Sequence, residues 1–352
     1  MRVVVISSTL YPSSENHYGS EHMSALLADE LGKTNDVTLF AAPQSMEGHY
    51  DLKLMPCTHG MIDYDAESFP YDEYPELLEN ADYIIDKSAT KVNLEHLWFY
   101  GDRRKVERKI ACYSSGGWAN PREPVRSALH HVAVSNIHKQ HGIKSGLKPE
   151  QISIIPYGMD IEFYKPDFAK RSDYCLYLGA ARIEKGIMTI LDIAERMPDQ
   201  RFVLAWRVMS EVHRETDRKF KAEFKRRNLP NVELFELPEE GQAKAKVELY
   251  QQARCFLQPS AKDYVEYLGL TTLESLSCGT PVVRESWGSA PEIIEQEKHG
   301  FLCDCLDDYI RSIREVDKID PRECRKLIEE KFTKHLYAEK YLKLWERLQC
   351  ES

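Results

Sequence analysis

Two acids eight residues apart, Glu266 and Glu274, flank Gly269 in the stretch VEYLGLTTLESLSCGTPVV. Glycine permits close backbone approach, and the N–H groups of Leu268, Gly269 and Leu270 open a helix-like run, LTTLESLSC. A helix N-terminus attracts an anion such as a diphosphate. Earlier in the chain, Arg182 and Lys185 sit in AARIEKG, directly after the apolar run YCLYLG, and supply full positive charge for the same anion. Glu274, one turn into the helix, is placed to accept from two neighbouring hydroxyls, as on a ribose. Glu266, ahead of the helix, is placed to do the same for a sugar. Each residue taken alone reads better as solvated surface charge; their conjunction at equivalent strand ends carries the chemical reading.

The elements that must position these residues alternate along the chain. RVVVIS has the pattern of a buried strand, and EHMSALLADELGK has apolar residues at helical spacing with Gly32 near its end. DVTLFA, ADYIID, KIACYS and HVAVS recur as short apolar runs. After ISIIPYGMDIEFYKPDFAKRSD a second series starts: YCLYLG, RFVLAW, NVELFE, CFLQPS and TPVVRE. Strands alternating with helices give parallel sheets with right-handed crossovers, so two series imply two doubly wound α/β halves. The boundary falls near Pro156 to Pro166, with domains over 1–160 and 161–332. A last segment, 333–352, places Tyr337, Tyr341, Leu344, Trp345 and Leu348 on one helical stripe and is expected to cross back onto the first domain. In such sheets ligands sit outside the carboxyl ends of the strands, and a cleft between two of them is the expected site.

Composition narrows the classes. At 352 residues two domains are the natural expectation, and 42% hydrophobic with 30% charged residues is ordinary for a globular chain. A formal charge of -10 argues against a general nucleic-acid binder. No apolar run approaches the ~18 residues that span a bilayer, and MRVVVISSTL reads as a strand rather than a leader. Nine cysteines without a C-x-x-C pair suggest reduced thiols, used as core filler, and a cytoplasmic location. His17, His22, His59, His96, His130 and His131 lack metal-ligand spacing, and no D-x-D pair precedes a strand. The basic run GDRRKVERK, followed by Arg122 and Arg126, reads first as a solvated helix face. Its sharper reading is a peripheral dock for a lipid-linked or anionic acceptor, a weak membrane-surface contact.

Four stretches resemble the retaining glycosyltransferases of family 4. IIPYGMDIEFYKP resembles the family's interdomain segment, with Tyr157 in place of Asn, and YLGAARIEKG resembles its diphosphate loop. PSAKDYVEYLGLTTLESLSCGTPVV carries the E-x7-E pair, and GSAPEIIEQEKHGFLC resembles the segment that follows it. Together they span roughly residues 152–303 in order. In the first half YGSEHMSALLADEL resembles the family's N-terminal loop and helix, with Tyr18 where another glycine is usual. Ser115 and Gly116 stand where relatives have a His-Gly pair, LAWRVMS lacks the family's glycine-rich segment, and Glu236 replaces a glycine.

The resemblance implies the GT-B fold, two Rossmann-like domains facing a central cleft and closing on the donor. It implies transfer of a hexose, with retention, from a nucleotide-diphosphate sugar of the UDP- or GDP-hexose class to a hydroxyl of a glycan, lipid-linked or small-molecule acceptor. Arg182, Lys185 and Glu266 take the catalytic roles, and Gly19, Leu268, Gly269, Leu270 and Glu274 bind the donor. The donor is a co-substrate, no other cofactor is expected, and fixed positive charges stand in for a metal. The released phosphate takes the acceptor's proton, so no protein base is required. A nucleotide-sugar epimerase or hydrolase of the same fold, and a binding-only nucleotide-sugar protein, are the competing readings.

Overall fold

The computed structural model describes residues 1–13, 19–103, 106, 109–112, 118, 121–169, 171–207, 211–238 and 242–350. The chain divides into two compact units, Met1–Gly158 with Lys334–Ser352, and Met159–Thr333.

The first unit is built on a parallel sheet of seven strands: β1 (Arg2–Ile6), β2 (Asp36–Ala41), β3 (Asp51–Leu54), β4 (Tyr83–Asp86), β5 (Ile110–Cys112), β6 (His130–Ala133) and β7 (Ile152–Ile154). Their spatial order is β3-β2-β1-β4-β5-β6-β7, so the winding reverses between β1 and β4. β1 is RVVVI, and its four apolar residues are all buried, as expected of β-branched side chains in a strand covered on both faces. Val4, Ile6, Phe40, Ile84, Leu94 and Trp98 share one core cluster.

The C-terminal helix Lys334–Cys350 belongs to this unit. It buries Tyr337, Tyr341, Leu344 and Trp345, while Leu348 is half-buried. Its polar edges are tied as well: the Tyr83 hydroxyl donates to the Tyr341 carbonyl (3.0 Å), and the Trp345 indole to the Asp82 carbonyl (3.3 Å). Lys87, at the carboxyl end of β4, donates to the Tyr337 hydroxyl (3.0 Å) and lies 4.7 Å from the Tyr157 ring centroid. Burial drives the Lys87 ammonium down to about 8.

The second unit holds six parallel strands: β8 (Cys175–Ala180), β9 (Phe202–Arg207), β10 (Val232–Phe235), β11 (Cys255–Gln258), β12 (Val282–Glu285) and β13 (Gly300–Cys303). The order β10-β9-β8-β11-β12-β13 reverses between β8 and β11. Both strand-end loops singled out in the sequence therefore leave neighbouring strands at one switch point. That is where a doubly wound sheet binds ligands.

Candidate functional site

Backbone geometry sets the site first. Gly186 ends the loop after β8 with φ 82° and opens the helix Ile187–Arg196. A Cβ there would sit 1.9 Å from the Pro259 carbonyl oxygen, so only glycine lets the two loops pack. The Ala261 N–H donates to the Glu184 carbonyl (2.9 Å), stitching them together. Gly269, also at φ 82°, opens the helix Leu270–Ser277, which has no side-chain cap. A Cβ on Gly269 would lie 3.1 Å from an Arg284 nitrogen.

The side chains converge on this frame. Lys185 donates to the Glu266 carboxylate and lies 5.0 Å from the Tyr264 ring centroid. Burial lowers the Lys185 pKa, but Glu266 and Tyr264 outweigh it, and the ammonium titrates above its ordinary value. Arg182 pairs with Glu184 at 3.0 Å, its guanidinium 5.5 Å from the same ring. Neither cation waits uncompensated for an anion: Arg182, Lys185, Glu184 and Glu266 form two neutral pairs.

Behind Glu266 runs a relay that the sequence reading did not find. Gln258 donates to Glu266 (3.3 Å), the Thr272 hydroxyl donates to Gln258 (3.0 Å), and Arg284 donates to Thr272 (2.9 Å). Arg284 and its ion-pair partner Glu285 are fully buried. A charged RE directly after the apolar PVV of a central strand is the signal that pointed there, since a buried charge needs a buried partner.

Glu274 does not sit as expected. Its side chain is 2% exposed and is held by Lys246 (2.9 Å), the Tyr250 hydroxyl (2.9 Å) and the Tyr164 hydroxyl (3.3 Å). Lys246 and Tyr250 come from the helix Gln242–Gln252, one turn apart. In this structure the Glu274 carboxylate is thus part of a buried ion pair rather than an open acceptor, since a charge one turn into a buried helix is kept by pairing it.

The remaining expected residues fall as follows. Leu268 and Gly269 are buried and Leu270 half-buried at the helix start. Gly19 lies in the other unit, at φ 140°, opening the helix Ser20–Gly32. Glu236 is exposed. Tyr18, His17, Ser115 and Gly116 lie outside the described residues, as does much of the basic run. Within that run Lys109 is buried and donates to the Ala81 carbonyl (2.8 Å), so it is not part of any surface dock, and Arg103 packs on the Trp98 ring at 4.1 Å. Among the described residues no group of His, Cys, Asp or Glu is arranged to hold a metal ion. No described helix is long and apolar enough to cross a membrane.

Two doubly wound parallel sheets, with a glycine-framed, cation-bearing pair of loops at the switch point of the second, define a GT-B glycosyltransferase fold. The second unit matches the model of the glycosyl transferases group 1 family over residues 159–333. It is 33% identical over 101 residues to a sucrose synthase of Solanum tuberosum, covering 25% of this chain and 12% of that protein. It is 23% identical over 312 residues to one of the polypeptides of the Homo sapiens phosphatidylinositol N-acetylglucosaminyltransferase, covering 81% of this chain. The chain spans 61% of that human polypeptide, so it matches less than two thirds of either relative. In three dimensions it is similar to HepE of Anabaena in complex with UDP-glucose. The TM-score is 0.73 at 14% identity, over 98% of this chain and 99% of that one.

Proposed function

We propose that this chain is a retaining hexosyltransferase of the family 4 type, moving a hexose from a UDP-hexose class donor to an acceptor hydroxyl. The observation that carries the reading is the Lys185–Glu266 pair, held between two loops at the switch point of a group 1 unit. That HepE has been crystallised with UDP-glucose supports the donor class.

The pair gives the donor something to open. An arriving diphosphate competes with Glu266 for the Lys185 ammonium, and the displaced carboxylate is then free to accept from hydroxyls of the sugar. As the sugar–phosphate bond breaks, electrons pass to the bridging oxygen and negative charge grows on the leaving nucleoside diphosphate. Lys185, Arg182 and the N-terminus of the helix Leu270–Ser277 stabilise that charge where the transition state needs it. The departing phosphate accepts the acceptor's proton, and the acceptor oxygen bonds to the anomeric carbon on the face the leaving group vacates. Gln258, backed by Thr272 and Arg284, fixes the Glu266 carboxylate during this exchange. Fixed cations supply the positive charge, so turnover is expected to persist in EDTA.

The test is a panel of UDP- and GDP-hexoses incubated with the full chain, with release of nucleoside diphosphate followed with and without sugar acceptors. Transfer with the anomeric configuration kept, read by NMR, supports the proposal. A new isomer formed without acceptor identifies an epimerase instead, and nucleotide-sugar binding without any product identifies a binding-only protein.

A further inference from the structure

In the first unit, β7 is the edge strand of its sheet, and the C-terminal helix lies beside it. Between them is a groove of about 520 Å³, within the roughly 300–1,000 Å³ typical of small-ligand sites. Four cations line it: Lys139, Lys340, Lys343 and Arg347. The last three fall at i, i+3 and i+7 of the C-terminal helix, so they share one face. No carboxylate is among the lining residues. Lys343 pairs with Glu339 at 2.6 Å.

Two of the cations are anchored to β7. Lys139 donates to the Ile152 carbonyl (2.8 Å) and Arg347 to the Ser153 hydroxyl (2.9 Å), both on β7. The first bond occupies an edge carbonyl that an added β-strand would need, which disfavours a peptide as the occupant. The crowding of positive charge is felt by its neighbours. Burial, then Arg347 and Lys139 among others, presses the adjacent His130 down to about 3. A chain with a formal charge of -10 has thus gathered four cations at one place.

We propose that this groove is a binding site for a phosphate-bearing anion, separate from the donor site of the second unit. A planar guanidinium and three ammonium groups match the several oxygens of a phosphoryl group, and the groove leaves room for a substituent on it. The phosphate is carried either by a small phosphorylated molecule or by the headgroup of an acidic lipid.

Titration of the full chain with sodium pyrophosphate at fixed ionic strength, followed by calorimetry, tests the first source. Co-sedimentation with phosphatidylcholine vesicles with and without phosphatidic acid tests the second. Binding in either arm, retained in Lys185→Gln and weakened at least tenfold when Lys343→Gln/Arg347→Gln is added to that variant, is the expected result. The Lys343 side chain is 67% exposed and Arg347 is exposed as well, so the double variant keeps its fold, which circular dichroism verifies. Absence of binding in both arms overturns the site. So does binding that survives the double variant in the Lys185→Gln background, or binding that disappears with Lys185→Gln alone and therefore belongs to the second unit.

Discussion

Lys185 and Glu266 neutralise each other in the absence of a donor, and this sets what their removal does. On the proposed function, Lys185→Ala deletes the charge aimed at the leaving group and also releases Glu266 beside an incoming diphosphate. Turnover should fall on the order of 10²-fold or more, and Arg182→Ala should cost a similar factor, the scale of one lost preorganised contact. Steady-state rates with UDP-hexose check both, and values within twofold of the parent would dismiss the assignment. For Glu274 the expectation differs in kind. Removing one member of a buried pair strands the other, so Glu274→Gln should destabilise the second unit by about 3–5 kcal/mol in urea. A variant of unchanged stability but weakened nucleotide binding would restore the ribose role. The residues that stand together around Gly269 were legible because each lies in the segment between a strand end and the helix that follows it. The Lys246–Glu274 pair was not, because its partners are 28 residues apart and meet only through helix packing. Local spacing carries no trace of that meeting.

At the scale of elements, every interior strand of both sheets was legible. Nine of the apolar runs quoted from the sequence after the first correspond to β2, β4, β5, β6, β8, β9, β10, β11 and β12. The strands passed over are β3, β7 and β13, and all three are sheet edges. An edge strand packs less side-chain surface and needs no unbroken apolar run; β3 is DLKL, with none of its residues fully buried. One element also carries a liability the pattern concealed. β6 and the helix Asn136–Lys144 bury His130, His131 and His138, and burial presses them to about 3, 4 and 3. The Val134 N–H donates to His138 Nδ1 at 3.3 Å, a bond that only the imidazole lone pair can accept. Below the unfolded value of about 6.5, the unfolded chain takes up protons that the folded unit refuses. Stability should therefore be full above that value and fall as pH drops towards 4. The loss at pH 5 is about 2 kcal/mol per imidazole, by 1.36 kcal/mol per pH unit. Urea midpoints from pH 7 to pH 5, compared with those of His138→Gln, check this. An unchanged pH slope in the variant would remove His138 from the account.

On the scale of the whole chain, the backbone leaves the first unit after Gly158 and rejoins it at Lys334. Residues more than 250 positions apart thereby share one core, as Tyr83 and Tyr341 do. Each unit has its own sheet and its own buried interior, so unfolding need not be a single transition. The two units also answer to different perturbations. Trp345 is 9% exposed and closes the C-terminal helix against β4. Trp345→Ala leaves a cavity there, costing about 3–5 kcal/mol of the first unit's stability. On the proposed function, a donor gripped by the loops after β8 and β11 would stabilise the second unit by mass action, about 2.7 kcal/mol at a hundred times its Kd. Hydrogen exchange resolved by peptide separates the effects. Trp345→Ala should speed exchange in β1, β4 and the C-terminal helix, while UDP-hexose should slow it in β8, β11 and the helix Leu270–Ser277. If the substitution instead accelerates both sheets equally, the units unfold as one, and the segment 334–350 does more than complete the first core.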